Sequence, residues 1–150
     1  MPSLNKNKIL PYCANNIYNL VMDIEKYPEF LPWCKAAKIT EVISENNLQA
    51  DLLINFKGIF EKYSSNILHK KTSNGFEVNV VAIKGPFKNL VNKWTIIENG
   101  KNQCAVEFFI DFEFNSFLLS KMIGAIFHKA SEKMMDAFET RAASIFKITK

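Results

Sequence analysis

Residues 116–146 read SFLLSKMIGAIFHKASEKMMDAFETRAASIF, and this stretch dictates what the rest of the chain must build. It holds no proline and a single glycine, Gly124. Leu119, Ile123, Ile126, Phe127, Ala130, Met134, Ala137, Phe138 and Ile145 recur at helical spacing. At about 100° per residue they share one side of a helical wheel. Lys121, His128, Lys129, Glu132, Asp136 and Glu139 take the other side. Asn115 and Ser116 place a side-chain oxygen where a helix would start. The pattern predicts one helix of roughly 30 residues, about 45 Å long, far above the usual length. Such a stripe needs a large partner surface.

The preceding chain supplies one in runs of period two. Cys104, Val106, Phe108, Ile110, Phe112 and Phe114 alternate with Glu107, Asp111 and Glu113, which means one buried and one wet face. Residues 35–45, 48–56, 59–70, 76–82 and 87–97 read as five more strands; the fourth carries Phe76, Val78, Val80 and Ala82, the fifth Trp94 and Ile96. In 59–70 the register puts Ile59, Glu61, Tyr63, Ser65, Ile67 and His69 on one face. Asn46-Asn47, Lys57-Gly58, Asn74-Gly75, Gly85-Pro86 and Asn99-Gly100 separate neighbouring runs, and Asn-Gly suits the positive φ of tight hairpin turns. Ahead of the meander, residues 3–12 predict an opening strand that Pro11 ends or confines to an edge. Ile17, Leu20, Val21 and Ile24 predict a short amphipathic helix that stops near Tyr27, because Pro28 disfavours helical geometry before it. Tyr27 to Cys34, bracketed by Pro28 and Pro32, is aromatic and too short for a regular element. The expected architecture is one α+β domain over residues 1–150: a seven-stranded curved antiparallel sheet around a long C-terminal helix.

Composition bounds the function. With 48% hydrophobic residues, 13 Phe and 23% charged residues, this is a globular chain with an aromatic interior. No apolar run reaches the ~18 residues of a membrane span, and no signal-peptide pattern opens the chain. Cys13, Cys34 and Cys104 are odd in number and unpaired in spacing, as expected of free thiols in a reducing cytosol. The net charge of +4 permits an RNA or membrane-surface partner, although the lysines are scattered. His69 and His128 have no second ligand at metal spacing, and no phosphate loop or nucleophile elbow is present. Glu61, Tyr63, Ser65 and His69 could form an acid–base set or a solvated strand face. Arg141 falls at the centre of the apolar stripe, on the bearing of Ile123. It either snorkels, pairs with an acid such as Glu25 or Asp23, or meets a polar ligand head group.

Asp23-Ile24-Glu25-Lys26-Tyr27-Pro28-Glu29-Phe30-Leu31-Pro32-Trp33-Cys34 resembles the signature of the coenzyme Q-binding protein family, which includes ribosome association toxins. Gly85-Pro86-Phe87-Lys88-Asn89-Leu90 with Trp94, the run Phe108–Phe114 and the run Ala137–Ala142 resemble its further motifs. The resemblance spans about residues 3 to 146 and implies a helix-grip (START-like, Bet v 1-like) fold within the polyketide cyclase/dehydrase-like superfamily. It implies a pocket between sheet and helix for a ubiquinone-like lipid, where the residues alone allow a simple packed core. The ligand-binding residues it suggests are Tyr27, Phe30, Leu31, Trp33, Phe56, Tyr63, Phe87 and Trp94, continued by Phe108, Ile123, Phe127, Met134, Phe138 and Arg141. Tyr27 to Trp33 would be the rim or a permanent lid, with Gly85-Pro86-Phe87 as the facing lip. The function so implied is non-enzymatic: quinone binding in support of respiration or biosynthesis, with no cofactor apart from ubiquinone as ligand. The alternative is a toxin, one half of a toxin–antitoxin pair, that binds the large ribosomal subunit and blocks subunit association. Either would be cytoplasmic, with at most transient contact at the inner membrane through the loop at 27–33, and neither needs DNA.

Overall fold

The clearest alternation in the sequence forms the clearest strand. In the computed structural model, which describes residues 3–146, strand β7 (Cys104–Phe114) buries its inward set residue by residue. The elements in order are β1 (Ser3–Leu10), α1 (Ala14–Met22), a 3₁₀ turn (Ile24–Glu29), β2 (Cys34–Ser44), β3 (Asn47–Phe56) and β4 (Ile59–Lys71). They continue with β5 (Gly75–Lys84), β6 (Phe87–Glu98), β7, α2 (Phe117–Glu132) and α3 (Met134–Ile145). The seven strands pair antiparallel in the order β1-β7-β6-β5-β4-β3-β2, so the opening strand lies at an edge. Register shifts interrupt the β2–β3, β4–β5 and β6–β7 ladders. Such irregularities bend strands and let the sheet curve around the helices. This is the helix-grip arrangement.

Two local expectations need correction. The stretch at 116–146 is not one helix: it breaks at Lys133, whose φ of −92° and ψ of −1° leave the regular helix. Neither proline nor glycine is responsible. Ser131 is buried and donates its hydroxyl to the Phe127 carbonyl one turn back at 2.9 Å, a bond that bends helices. After the break the buried stripe continues through Met135, Phe138 and Ala142, and Ile145 is exposed. The second correction concerns Tyr27 to Cys34, whose first part is the end of the 3₁₀ turn. Tyr27 carbonyl accepts from the amides of Phe30 and Leu31 at 3.1 and 2.9 Å. Pro28 gives the turn no N–H to donate, and the turn ends one residue later at Glu29.

Two glycines differ in what they do. Gly58 at φ +82° joins Lys57 at φ +51° in the β3–β4 hairpin, as a tight turn requires. Gly75 has no such φ, contrary to the Asn-Gly expectation: a Cβ there would lie 1.9 Å from the Ile96 carbonyl oxygen, so close strand approach demands glycine.

Aromatic side chains fill one end of the sheet–helix interface. Phe127 of α2 lies between 4.5 and 5.8 Å from the ring centres of Phe56, Phe87, Phe112 and Phe114. Under α3, Phe138 packs edge-on against Tyr27, Phe30 and Trp94. Polar ties fasten the helices at their edges. Lys6 Nζ donates to the Glu132 carbonyl at the end of α2 at 2.6 Å, and Lys8 pairs with Glu139 and Asp136 of α3.

Candidate functional site

The helix break shapes the site. Between the Leu31-Pro32-Trp33 segment and the flank of α2 and α3 runs an open groove of about 300 Å³. Ile126, Ala130, Met134 and Ala137 form its helical wall, and Lys129 and Lys133 stand among them with exposed side chains. No acid lines it. The opposite lip is therefore the helix pair and not the Gly85-Pro86-Phe87 hairpin. Gly85 instead packs on β4, where a Cβ would meet Tyr63 Cβ at 2.6 Å, and Phe87 stacks on Phe114 at 4.9 Å.

Behind the groove lie two small chambers of about 40 Å³ each. One reaches toward α1, past Val21, Ile24 and Tyr27; the other lies under α2, against Phe127 and Ser131. Tyr63, Val80, Asn92 and Met134 belong to both, and Met134 also walls the groove. Trp33 faces the groove and the second chamber and stacks on Phe56 at 6.0 Å. A chamber of that size holds a water molecule or so. Most of the sheet–helix space is packed core.

The chamber walls are apolar except for a small uncharged cluster. Ser65 and Asn92 are buried on β4 and β6, and Tyr63 stands two residues before Ser65 on the same face. β5 lies between them, with Ala82 opposite Ser65 and Val80 opposite Asn92. Asn92 Nδ2 donates to the Phe109 carbonyl at 2.9 Å, which fixes the amide and leaves its oxygen for another donor. Burial, with a smaller push from the Cys34 thiol, raises the Tyr63 phenol far above its ordinary range, so it stays protonated and is a donor.

The charged groups lie outside. Arg141 Nη2 donates to Glu29 Oε1 at 2.8 Å, and its guanidinium lies 5.3 Å from the centre of the Phe30 ring. That bond holds the Glu29 carboxyl below its usual range. The acid is Glu29, not Glu25 or Asp23; Glu25 accepts from the Ile39 amide at 2.9 Å. The rest of the supposed acid–base face is dispersed as well. His69 Nδ1 shares a hydrogen bond of 2.5 Å with the Tyr18 hydroxyl, and burial lowers its pKa. Neither His69 nor Glu61 reaches a chamber.

The chain matches the family model described as "Polyketide cyclase / dehydrase and lipid transport" over residues 10–139. It belongs to that family. Within it, the chain is 44% identical over 150 residues to the ribosome association toxin RatA of Rickettsia prowazekii (strain Madrid E), covering 98% of this chain and 100% of that one. It is 27% identical to the mitochondrial coenzyme Q-binding protein COQ10 homolog B of Xenopus laevis, covering 95% of this chain and 58% of that one. A START superfamily protein from Mycobacterium smegmatis shares the fold, with a TM-score of 0.78 at 17% identity, covering 95% and 98% of the two chains.

Against the site residues expected from the sequence, the structure divides the set. Leu31, Trp33, Tyr27, Tyr63, Phe127 and Met134 border the groove or the chambers. Phe56, Trp94, Phe108, Ile123 and Phe138 are buried core, Phe30 and Phe87 are half-buried packing partners, and Arg141 is tied to Glu29. The rim is partial: Tyr27 turns inward, with its hydroxyl donating to the Val21 carbonyl. The loop at 27–33 thus presents little apolar surface for a membrane. Exposed apolar side chains lie elsewhere: Phe117, Leu118 and Met122 cluster at the start of α2, and Val42, Ile43, Phe60, Leu68, Val81 and Ile83 stand on the strands β2, β4 and β5. No described helix is long and apolar enough to cross a membrane. Sequence reasoning missed Asn92 and the lining Ile126, Ala130 and Ala137 as site residues. Asn92 carried a signal: a polar side chain in phase with Leu90, Trp94 and Ile96.

Proposed function

We propose that this chain is a non-enzymatic binding protein for an uncharged, ubiquinone-like lipid. The observation that carries the reading is the apolar groove at Trp33, open to solvent. It shares the Met134 wall with both chambers, and Trp33 and Ala130 with the second, and these chambers contain no charged side chain. An isoprenoid tail suits such walls, since each buried CH₂ contributes roughly 0.8 kcal/mol. The named coenzyme Q-binding relative supports the same ligand class. A cyclase or hydrolase would need a titratable pair in the cavity, and the chambers offer Tyr63 and Ser65 without a base. The test is to purify the folded protein from a quinone-producing bacterium, extract it with solvent and identify the extract by mass spectrometry. A stoichiometric isoprenoid quinone is expected; protein that is folded, empty and unable to take up added quinone refutes the reading.

A second reading rests on the full-length RatA relative and on a separate surface. From Phe117 to Ser131, α2 carries Lys121 and Lys129 and no acid, and it exposes Phe117, Leu118 and Met122. That face suits a ribosomal partner, where phosphates meet lysines. A sucrose-gradient profile after overexpression should show fewer joined ribosomes; an unchanged subunit-to-monosome ratio removes this activity.

A further inference from the structure

We propose that the inner chambers are a head-group pocket, closed by Met134, for a molecule whose polar end bears neutral oxygen atoms. The inference rests on the lipid-binding reading and assigns it an orientation: head inward, tail along the groove.

The polar cluster argues for the orientation. Tyr63, Ser65 and Asn92 converge on a space otherwise walled by Val, Leu, Ile and Met side chains and by Tyr27, whose hydroxyl is taken up by the Val21 carbonyl. An apolar tail driven into that space would leave two hydroxyls and an amide oxygen facing methylene groups, which is costly for buried polar atoms. A carbonyl or ether oxygen would instead accept from the Tyr63 and Ser65 hydroxyls, and a hydroxyl would donate to Asn92 Oδ1. Quinone carbonyls, ketones and alcohols fit. Carboxylates and phosphates do not, because no described cation lines the chambers, Lys129 and Lys133 line the groove instead, and Arg141 is held by Glu29.

The gate argument comes from the way the cavities share walls. Each chamber is too small for a ring, yet Met134 is common to both and to the groove. It is the first residue of α3, immediately after the break at Lys133. An unbranched thioether side chain changes rotamer easily and fills gaps adaptably. Swung aside, it joins groove and chambers into one cavity of the size that small-molecule sites have. Gly85 keeps Tyr63 in place from behind, since any side chain there would push into its Cβ.

The experiment measures binding of decylubiquinone, decylbenzene and dodecanoate by calorimetry to the full chain and to the S65A, Y63F and M134A variants. The first two remove one hydroxyl each and keep the packing. The quinone should lose about five- to tenfold in affinity in each, the size of one lost hydrogen bond, and decylbenzene should be unaffected. M134A should speed quinone association severalfold in stopped-flow mixing. If quinone and decylbenzene both bind but S65A and Y63F leave the quinone unchanged, the head lies elsewhere and the proposal falls alone. Dodecanoate binding as tightly as the quinone, through Lys129 and Lys133, reverses the orientation and overturns it. An unchanged association rate in M134A overturns the gate. If nothing binds, the lipid-binding reading falls and takes this one with it.

Discussion

The two ends of the sheet–helix interface differ in how they are filled. Around Phe127, four further phenylalanine rings interlock within 6 Å, and only one edge of the cluster touches the second chamber. Around Met134, about two turns further along, the walls are Tyr63, Ser65, Val80 and Asn92, and small voids persist. Close-packed aromatics make a rigid buttress. A flexible methionine beside polar groups and voids makes a place that can rearrange. On the lipid-binding reading proposed above, stability and binding fall to neighbouring stretches of one helical segment.

The sharpest way to break that division is to truncate at both ends. F127A should cost about 3–5 kcal/mol, the range for a buried aromatic that leaves a cavity, read as a lower denaturant midpoint. M134A should cost only about 1 kcal/mol, an ordinary point-mutant value, because its surroundings are already loose. Equal losses would mean that the two ends are one core. A charged residue at Phe127 or Phe138, both buried, would therefore report on folding and not on ligand retention.

A smaller effect sharpens the contrast at the far wall of the fold. Burial lowers the folded-state pKa of His69 below its ordinary 6.5, so the folded chain binds a proton less readily than the unfolded one. Stability from this site is full above pH 6.5 and declines as pH falls toward the lowered value. H69Q should flatten that limb in a pH series of thermal unfolding; an unchanged slope would place the titration elsewhere. Weaker still is the Glu29–Arg141 pair, which is partly exposed. Its stabilisation fades as pH drops below the usual carboxylate range, because the folded-state pKa of Glu29 is depressed. E29Q should remove that fraction and its salt sensitivity with little change in midpoint at neutral pH.

The smallest change is kinetic. Burial pushes the Cys34 and Cys104 thiols up to about 11. Both should resist iodoacetamide at pH 8 in the native state, with half-buried Cys13 labelled first. Rapid labelling of Cys34, which begins β2 next to the Trp33 lip, would show that the groove opens without ligand.

The sequence alone determined the strands, their antiparallel order and the burial of one face, because period-two alternation is a local record of which side meets water. β7 and the inward set of β4, from Ile59 to His69, follow it position by position. It also marked 116–146 as the element to be wrapped, since only a broad surface can cover so long a stripe. It did not place the break at Lys133, two residues after a buried Ser131 whose hydroxyl turns back to its own helix. Nor did it separate packed core from cavity walls: Ile123 and Met134 obey the same helical periodicity, yet one is solid core and the other borders both chambers. Periodicity reports direction, not distance. Where side chains from β4, β6 and α3 fail to meet is decided by how three elements far apart in sequence converge, and only the tertiary structure holds that information.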